Sequence, residues 1–266
     1  MERREHLVDK LHALKQRLTD YQKVAIAYSG GCDSNFLLNV ALQTLGEKNV
    51  LAILCVGDMM SREDLAEARA LLKDVQHVEI PINVLSVEQF AHNAHDRCYH
   101  CKKMIMSKVI KAAHAQDFKF VLDGKNKDDE GVYRPGIQAC LELGILSPMA
   151  ECQLSKQEIR EYSKMLGIVT HDKPANACLA SRFDYDTLLT KEELERVDKA
   201  EALFHQLGIY YVRVRVQDEL ARIEVEKKDF AKIIEHSEVA EALKALGFRY
   251  VTLDLDGIIS GSYDKK

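Results

Sequence analysis

The sequence predicts an α/β protein in which a parallel, doubly wound sheet is followed by a smaller α+β domain. Short apolar runs alternate with helical patterns over the first half of the chain, and the pattern changes after Lys191. Strands that alternate with helices form parallel sheets covered on both faces. Because 266 residues exceed what one compact core usually covers, we expect one domain at residues 1–185 and another at residues 186–266.

The first domain is predicted to open with an amphipathic helix, because leucines recur at helical spacing from Leu7 to Leu18. Four apolar runs predict strands at residues 24–28, 50–56, 77–82 and 118–124. Helical patterns follow the first three strands, as NFLLNVALQTLG, SREDLAEARALLKDV and residues 101–115. A further helix is expected at residues 155–166. Residues 167–190 have little periodicity, which predicts a functional loop.

The second domain has its own apolar alternation. Its expected elements are a helix at 191–207, strands at 210–217 and 221–226, two helical pieces within 229–246 and a strand at 250–256.

Composition narrows the class of protein. Hydrophobic residues make up 47% and charged residues 30%, with a formal net charge of -5, which is typical of a soluble protein and disfavours nucleic acid as a partner. No apolar run approaches the ~20 residues needed to cross a membrane, and the charged start is unlike a secretory signal, so we expect a cytosolic protein. The seven cysteines then predict thiols, metal ligands or redox groups instead of disulfides.

A glycine-rich turn, Ser29-Gly30-Gly31-Cys32-Asp33-Ser34, lies between the first strand and the first helix that follows it. Backbone N–H groups and the helix dipole create an anion site at such a turn, and glycines let the backbone approach a phosphate closely. No lysine follows the glycines, so this is not the loop of kinase-like NTPases.

The motif SGGxDS resembles the PP-loop of ATP pyrophosphatases, which include GMP and NAD synthetases and tRNA-thiolating enzymes. The resemblance implies that Ser29, Gly30, Gly31, Asp33 and Ser34 bind ATP, that the loop holds the departing pyrophosphate, and that Asp33 helps bind Mg²⁺. Neighbouring strand ends should complete the pocket. Gly57 and Asp58 follow the second strand, and Asp123 and Gly124 follow the fourth. Both aspartates are equally consistent with ordinary turn residues.

Later segments are similar to the LarE family over residues 20–262. These segments are DRCYHCKK (96–103), the stretch 123–136 that contains DG, DD and YRPG, ACLASRF (177–183), VRVRV (212–216) and GFRYVTLDL (247–255). The resemblance implies ATP-dependent sulfur insertion into pyridinium-3,5-biscarboxylic acid mononucleotide, a step toward a nickel-pincer cofactor. It also implies a homo-oligomer assembled through the second domain.

Adenylation makes a carboxylate electrophilic, and a sulfur nucleophile can then replace AMP. Cys178, beside Ser181 and Arg182 in the aperiodic loop, is the candidate nucleophile, since a nearby cation lowers a thiol pKa. In some family members such a cysteine gives up its own sulfur; members with three cysteines are expected to hold a 4Fe-4S cluster that carries a sulfide. Here Cys98, Cys101 and Cys178 are the candidate ligands, and we favour the cluster. Cys98-x-x-Cys101 is also consistent with an incidental or redox pair.

Arg213 and Arg215 alternate along one strand and share a face, which suits the phosphate of a mononucleotide. Arg222 on the next strand could join them, and salt bridging at a subunit contact is the alternative for these strand arginines. Arg134 and Arg182 are further candidates, for which structural roles are the alternative. Asp128 and Asp129 could bind a metal ion, but a pair of aspartates in a polar turn is more often simply solvated. We expect Cys32, Cys55, Cys140 and Cys152 to be small buried side chains.

Two other functions remain open on the sequence. A PP-loop tRNA thiolase uses similar cysteine triads but predicts a basic face, which the acidic balance disfavours. A regulatory protein that binds ATP without chemistry would leave the cysteines without a purpose.

Overall fold

A computed structural model describes residues 2–131, 135–174 and 176–259, with side chains from residue 9 onward. The chain forms two compact units. The first comprises Met1–Gly57, Asp64–Ile82 and Cys98–Asn176, and the second comprises Asp58–Glu63, Asn83–Arg97 and Ala177–Lys266. The last segment of the second unit thus begins at residue 177, whereas the sequence places the domain boundary after residue 185. Within residues 177–185, Phe183 forms a bridge to Val216 of the second sheet.

The α-helices of the described residues are, in chain order, α1 Glu2–Tyr21, α2 Cys32–Leu45, α3 Arg62–Leu71, α4 Glu88–Ala91, α5 Arg97–His114, α6 Pro135–Glu142, α7 Pro148–Glu151, α8 Lys156–Met165, α9 Lys191–Gln206, α10 Phe230–Glu235 and α11 Glu238–Ala245. The strands are β1 Val24–Tyr28, β2 Val50–Val56, β3 His77–Pro81, β4 Phe120–Leu122, β5 Val212–Gln217, β6 Leu220–Val225 and β7 Tyr250–Leu253.

The first unit contains a four-stranded parallel sheet in the order β3-β2-β1-β4. Strands β1 and β2 are almost entirely buried, which explains why both are continuous apolar runs. Helix α2 packs against β1, α1 and α8, and its Phe36 ring stacks on Tyr162 at 6.0 Å. The α/β fold class with a parallel sheet is confirmed.

The second unit contains a three-stranded mixed sheet in the order β5-β6-β7. Strands β5 and β6 are antiparallel, and β6 and β7 are parallel. Helix α9 packs against β5, and α11 packs against α9 and β7. Strand β7 ends earlier than predicted, at Leu253, because the chain turns where Asp254 Oδ1 accepts a hydrogen bond from the N–H of Asp256.

Candidate active site

The glycine-rich turn joins the carboxyl end of β1 to the first turn of α2. Gly30 has a φ of 74°, and a Cβ there would lie 2.7 Å from the Cβ of Ala68, so this position requires glycine for both conformation and space. Gly31 caps the helix with φ −79° and ψ 166°, and a Cβ there would meet no atom closer than 3.5 Å. Gly31 therefore keeps the approach to the helix N-terminus open, where N–H groups and the dipole attract anions.

Two serines brace the turn. Ser29 Oγ and Ser34 Oγ lie 3.0 Å apart, and Ser34 Oγ also donates to the carbonyl of Gly31 at 3.2 Å. Behind the turn, Asn35 Nδ2 donates to Thr170 Oγ1 at 3.0 Å. The turn is thus fixed by its own side chains and by a buried contact to the segment that follows α8.

Asp33 lies in the first turn of α2. Its Oδ2 accepts a hydrogen bond from Nζ of Lys156, the first residue of α8. Its Oδ1 is buried without a hydrogen-bond partner in the described residues. Burial raises the pKa of Asp33 although Lys156 opposes this, and the nearby carboxylate of Asp129 raises it further. An unpartnered carboxylate oxygen beside a second carboxylate suits a hard cation.

The strand end of β4 lies directly beside the turn. A Cβ on Gly124 would lie 3.1 Å from the backbone nitrogen of Ser34, so β4 approaches the start of α2 backbone to backbone. The Asp123 carboxylate accepts hydrogen bonds from Ser147 Oγ at 2.8 Å and from the N–H of Lys125 at 3.1 Å. Asp123 therefore shapes the turn after β4, and its nucleotide role stays a prediction.

The strand end of β2 supplies the other two predicted pocket residues. Gly57 and Asp58 directly follow Val56, the last residue of β2, and both are half-buried. Because β1 pairs with both β2 and β4 in parallel, the ends of these three strands share one edge of the sheet. The nucleotide roles of Gly57 and Asp58 stay predictions.

The candidate sulfur-chemistry cysteines lie on a helix and a loop. Cys98 and Cys101 are one turn apart at the start of α5, Cys98 exposed and Cys101 half-buried. Cys178 is half-buried and precedes the short 3-10 turn Leu179–Arg182. Within the described ranges, no three His, Cys, Asp or Glu side chains are grouped to hold a metal ion.

The other four cysteines pack in the fold. Cys32, Cys55 and Cys140 are buried as predicted, and Cys152 is half-buried. Burial raises the pKa of all four thiols, to about 11 for Cys55 and Cys140. These thiols therefore stay protonated near neutral pH.

Arg182 anchors the loop around Cys178. Its guanidinium donates to both carboxylate oxygens of Glu201 on α9, at 2.8 and 2.9 Å. It also donates to the carbonyl of Ala177 at 3.0 Å and to Ser181 Oγ at 2.9 Å. Arg182 is only 2% exposed, and it holds the backbone before Cys178 and the Ser181 side chain after it.

Arg215 also supports this loop from β5. It donates to the carbonyl of Ser181 and pairs with Glu224 of β6 at 3.0 Å. Arg222, directly opposite Arg215 in the sheet, lies 3.4 Å from the same glutamate. Both Arg215 and Glu224 are buried, so the predicted arginine face is covered by protein and does not form an open surface.

Arg213 differs from its neighbours. It is buried, and it donates to the carbonyl of Ile259 at 3.2 Å. It pairs with no carboxylate in the part of the chain that the structure describes. Burial, then the positive charges of Arg182 and Arg215, lower the pKa of Arg213. Glu224, opposite Arg213 in the sheet, acts against this lowering. A buried guanidinium that forms no close ion pair in the described residues is electrostatically suited to an anion.

Arg134 falls outside the described residues. Asp128 and Asp129 lie in the turn after β4, which is capped by Asn126. Asp128 Oδ2 accepts a hydrogen bond from the N–H of Lys156 at 2.8 Å, and Asp129 Oδ2 accepts one from the N–H of Asn126 at 3.1 Å. Both aspartates therefore make structural hydrogen bonds. Asp129 also raises the pKa of Asp33 through its negative charge.

Three side chains of these sites were not predicted: Lys156, Glu201 and Glu224. Of the three, Lys156 has an unusual position in the sequence pattern: it is a cation in the first turn of a helix, where it opposes the helix dipole. Glu201 and Glu224 resemble any surface glutamate in sequence, and only their burial distinguishes them.

Comparisons with known proteins agree with this geometry. The family described as a PP-loop domain matches residues 3–131. An uncharacterised protein of Synechocystis sp. is 39% identical over 97% of this chain and 98% of its own length. The pyridinium-3,5-bisthiocarboxylic acid mononucleotide synthase of Lactiplantibacillus plantarum is 36% identical over 96% and 94%. An uncharacterised protein of Methanocaldococcus jannaschii is 32% identical over 93% and 96%.

The parallel sheet and the glycine turn define a PP-loop ATP pyrophosphatase, an ATP-dependent enzyme. Since the relatives match both units and not the PP-loop alone, the chain belongs to the LarE family of these enzymes. In the described residues, none of the helices has the length and apolar character that a membrane span requires.

Proposed function

We propose that this enzyme adenylates a carboxylate of pyridinium-3,5-biscarboxylic acid mononucleotide, releases pyrophosphate and replaces AMP with sulfur to form a thiocarboxylate. The observation that carries the proposal is the 36% identity to a pyridinium-3,5-bisthiocarboxylic acid mononucleotide synthase over 96% of the chain, through both units. The substrate supplies the carboxylate oxygen that attacks the α phosphorus of ATP, and pyrophosphate leaves.

The turn at Ser29–Ser34 would bind the departing pyrophosphate. The side of Gly31 is open, and the N–H groups at the start of α2 are oriented to donate to phosphate oxygens. Charge develops on the pyrophosphate as the bond to the α phosphorus breaks, so donors fixed in advance stabilise the transition state.

Mg²⁺ fits the acidic side of this turn. Asp33 Oδ1 is buried and unpartnered in the described residues, and Asp129 lies close enough to influence the pKa of Asp33. Mg²⁺ in ATP-dependent enzymes is bound by one or two carboxylates and the phosphates. Asp33, with Asp129 beside it, would hold the ion, which neutralises charge on the phosphates.

Cys178 offers one route for sulfur. Its thiolate would attack the carbonyl carbon of the acyl adenylate, so that a C–S bond forms and the C–O bond to AMP breaks. A base then removes the Cα proton of residue 178, the Cβ–S bond breaks, and sulfur leaves with the product while dehydroalanine remains. The anchored loop supports this role, because Arg182 holds the backbone carbonyl of Ala177 before Cys178 and the hydroxyl of Ser181 after it.

A 4Fe-4S cluster on Cys98, Cys101 and Cys178 is the second route and the one that the three cysteines favour. Such a cluster would carry an exogenous sulfide on its fourth iron, leaving the protein unconsumed. Cys98 and Cys101 suit two adjacent ligand positions, but the described residues do not group a third ligand with them, so we derive no step through the cluster.

Contacts within the second unit join the segment that precedes Cys98 to the segment that follows Cys178. Asn93 Nδ2 donates to the carbonyls of Phe183 at 3.1 Å and Asp184 at 2.7 Å, and Arg97 lies over the ring of Tyr185 at 4.7 Å. Arg97 is the residue before Cys98, and the segment that it holds begins shortly after Cys178.

Arg213 is the best candidate for the phosphate of the mononucleotide. Arg215 and Arg182 each have a buried carboxylate partner, whereas Arg213 donates to a carbonyl. The three arginines exceed the two buried glutamates in charge, so this part of the second unit retains an attraction for an anion.

The second unit is also the proposed surface for homo-oligomer formation. Strand β7 lies at the edge of its sheet, and Ile234, Tyr250 and Leu255 expose large apolar side chains in the same unit. An unpaired strand edge and exposed apolar side chains are features of association surfaces.

The test is an assay of protein purified without oxygen, with ATP, Mg²⁺, sulfide and the biscarboxylic mononucleotide. We expect pyrophosphate release that depends on the mononucleotide, and a product in which sulfur replaces a carboxylate oxygen. Cys178→Ser should abolish the thiocarboxylate, whereas Cys152→Ala, a change at another half-buried cysteine, should not. Pyrophosphate release that requires tRNA would favour a thiolase, and ATP binding without any release would favour a regulatory protein.

The sulfur route is decided by iron and sulfide analysis of the same preparation. Bound iron that is lost in Cys98→Ala supports the cluster, and a mass loss at residue 178 after turnover supports sacrifice of the cysteine. A colourless, iron-free protein with residue 178 intact after turnover would contradict both routes.

A further inference from the structure

A lysine side chain contacts the carboxylate that is proposed to hold the metal ion. Nζ of Lys156 contacts Asp33 Oδ2, on the carboxylate that would hold Mg²⁺. Lys156 is the first residue of α8, where a positive charge is unfavourable for the helix. The helix itself gives no reason for a lysine there, so the reason lies in the site that it faces.

The backbone of Lys156 is fixed while its side chain is not. Ser155 caps α8 in a reciprocal pair of bonds with Glu158, and the N–H of Lys156 donates to Asp128 Oδ2 at 2.8 Å. The Lys156 side chain is 30% exposed and has a flexible four-carbon stem. The ammonium can therefore change partner without any movement of the helix.

The charges around Asp33 indicate where the Lys156 ammonium would move when ligands bind. The carboxylates of Asp128 and Asp129 and the guanidinium of Arg160 lie in the same surroundings as Asp33, and the ammonium of Lys156 offsets part of the negative charge. A Mg²⁺ ion on Asp33 would repel the ammonium, while the ATP that comes with it brings phosphate oxygens to the adjacent helix N-terminus. A lysine ammonium binds phosphate as a compact point charge.

We propose that Lys156 is the counter-ion of Asp33 in the protein without nucleotide, and that it moves to the phosphate oxygens of ATP when Mg²⁺ replaces it on Asp33. The sequence lacks a lysine after the glycines of the turn, and Lys156 supplies that cation from α8, far along the chain. The inference rests on the proposed Mg²⁺-ATP site and on no property of the acceptor substrate.

The test compares wild type, Lys156→Met and Lys156→Gln, with Lys164→Met as the matched control at the exposed end of the same helix. Mn²⁺ binding without nucleotide is measured by the electron paramagnetic resonance of free Mn²⁺, and ATP binding with Mg²⁺ by calorimetry. A denaturation curve shows whether each variant is folded, and Lys156→Gln, which keeps a hydrogen-bond donor, serves if the methionine variant is not.

Both neutral variants are expected to bind Mn²⁺ roughly tenfold more tightly than wild type without nucleotide, because the competing cation is gone, and to bind Mg²⁺-ATP roughly tenfold more weakly. Lys164→Met should match wild type in both. A folded variant whose Mn²⁺ affinity does not rise, or whose Mg²⁺-ATP affinity equals that of wild type, overturns the inference. A wild-type protein whose ATP affinity is indifferent to Mg²⁺ overturns the proposed metal site as well.

Discussion

Arg182 and Glu201 form a two-point ion pair that is almost completely buried, with side chains 3% and 5% exposed. Glu201 also accepts a hydrogen bond from the N–H of Val214 in β5 at 2.9 Å. One carboxylate therefore ties the loop around Cys178, helix α9 and the second sheet together. The position of the loop that carries Cys178, the candidate nucleophile, therefore depends on the core of the second unit.

We expect Glu201→Ala to lower the free energy of unfolding by about 3–5 kcal/mol, because it leaves the guanidinium of Arg182 buried without its partner. Urea denaturation measures the loss. Lys199→Ala on the same helix removes only an exposed contact to Glu195 and should change stability by less than about 0.5 kcal/mol. Equal, small effects of the two substitutions would show that the ion pair does not support the fold.

The two glycines of the turn are expected to fail differently. Gly30→Ala should lower the free energy of unfolding by about 1–3 kcal/mol, because its Cβ meets Ala68 and its φ is positive. Gly31→Ala should leave stability within about 0.5 kcal/mol of wild type yet weaken ATP binding, since its Cβ would point into the approach used by phosphate. Denaturation curves and ATP titrations separate the two effects, and unchanged ATP affinity in Gly31→Ala would argue against phosphate at this turn.

Arg213→Met should raise KM for the mononucleotide by about tenfold or more while ATP affinity stays the same, because the change removes a charge that has no carboxylate partner in the described residues. Arg215→Met is the contrasting variant. It removes the 3.0 Å ion partner of the buried Glu224 and should lower stability as well. Steady-state kinetics with each substrate varied, together with denaturation curves, check both variants. A rise of KM for ATP in Arg213→Met would contradict the assignment of Arg213 to the phosphate of the mononucleotide.

Alkylation of the seven cysteines should follow burial. At pH 8 a thiol with a pKa of about 11 is ionised in only about one molecule in a thousand, so Cys55 and Cys140 should stay unmodified by iodoacetamide while exposed Cys98 reacts. Raising the pH toward 11 increases the thiolate fraction of the two buried thiols. Peptide mass spectrometry measures each site, with urea-unfolded protein as the control in which all seven react. Rapid labelling of Cys140 in folded protein would contradict its packing.

Leu255→Asp should reduce the mass of the assembly in solution, because it places a charge on an apolar side chain that is 76% exposed in the second unit. Val169→Asp, an equally exposed apolar position of the first unit, is the control and should leave the mass unchanged. Light scattering after size exclusion measures both. A monomeric wild-type protein would contradict the proposed oligomer.

Prediction from sequence was most successful where a pattern is local. Strands β1 and β2 have their predicted bounds, because fully buried parallel strands are continuous apolar runs. Three short helices, α4, α6 and α7, were not predicted, since such segments are too short to show a period. Helix α2 begins at Cys32, inside the glycine motif, because the motif itself forms the first helical turn.

The sequence by itself determined the class of this protein: the alternation of strands and helices, the glycine turn after β1 and the cysteines available for sulfur chemistry. Each of these depends on residues close together in the chain, whose spacing fixes their geometry. Only the tertiary structure decided that Lys156 meets Asp33, that Glu201 holds Arg182 and that the arginines of β5 are buried. Those contacts join distant segments, and burial, which no spacing reveals, sets the charge and pKa of the groups that meet there.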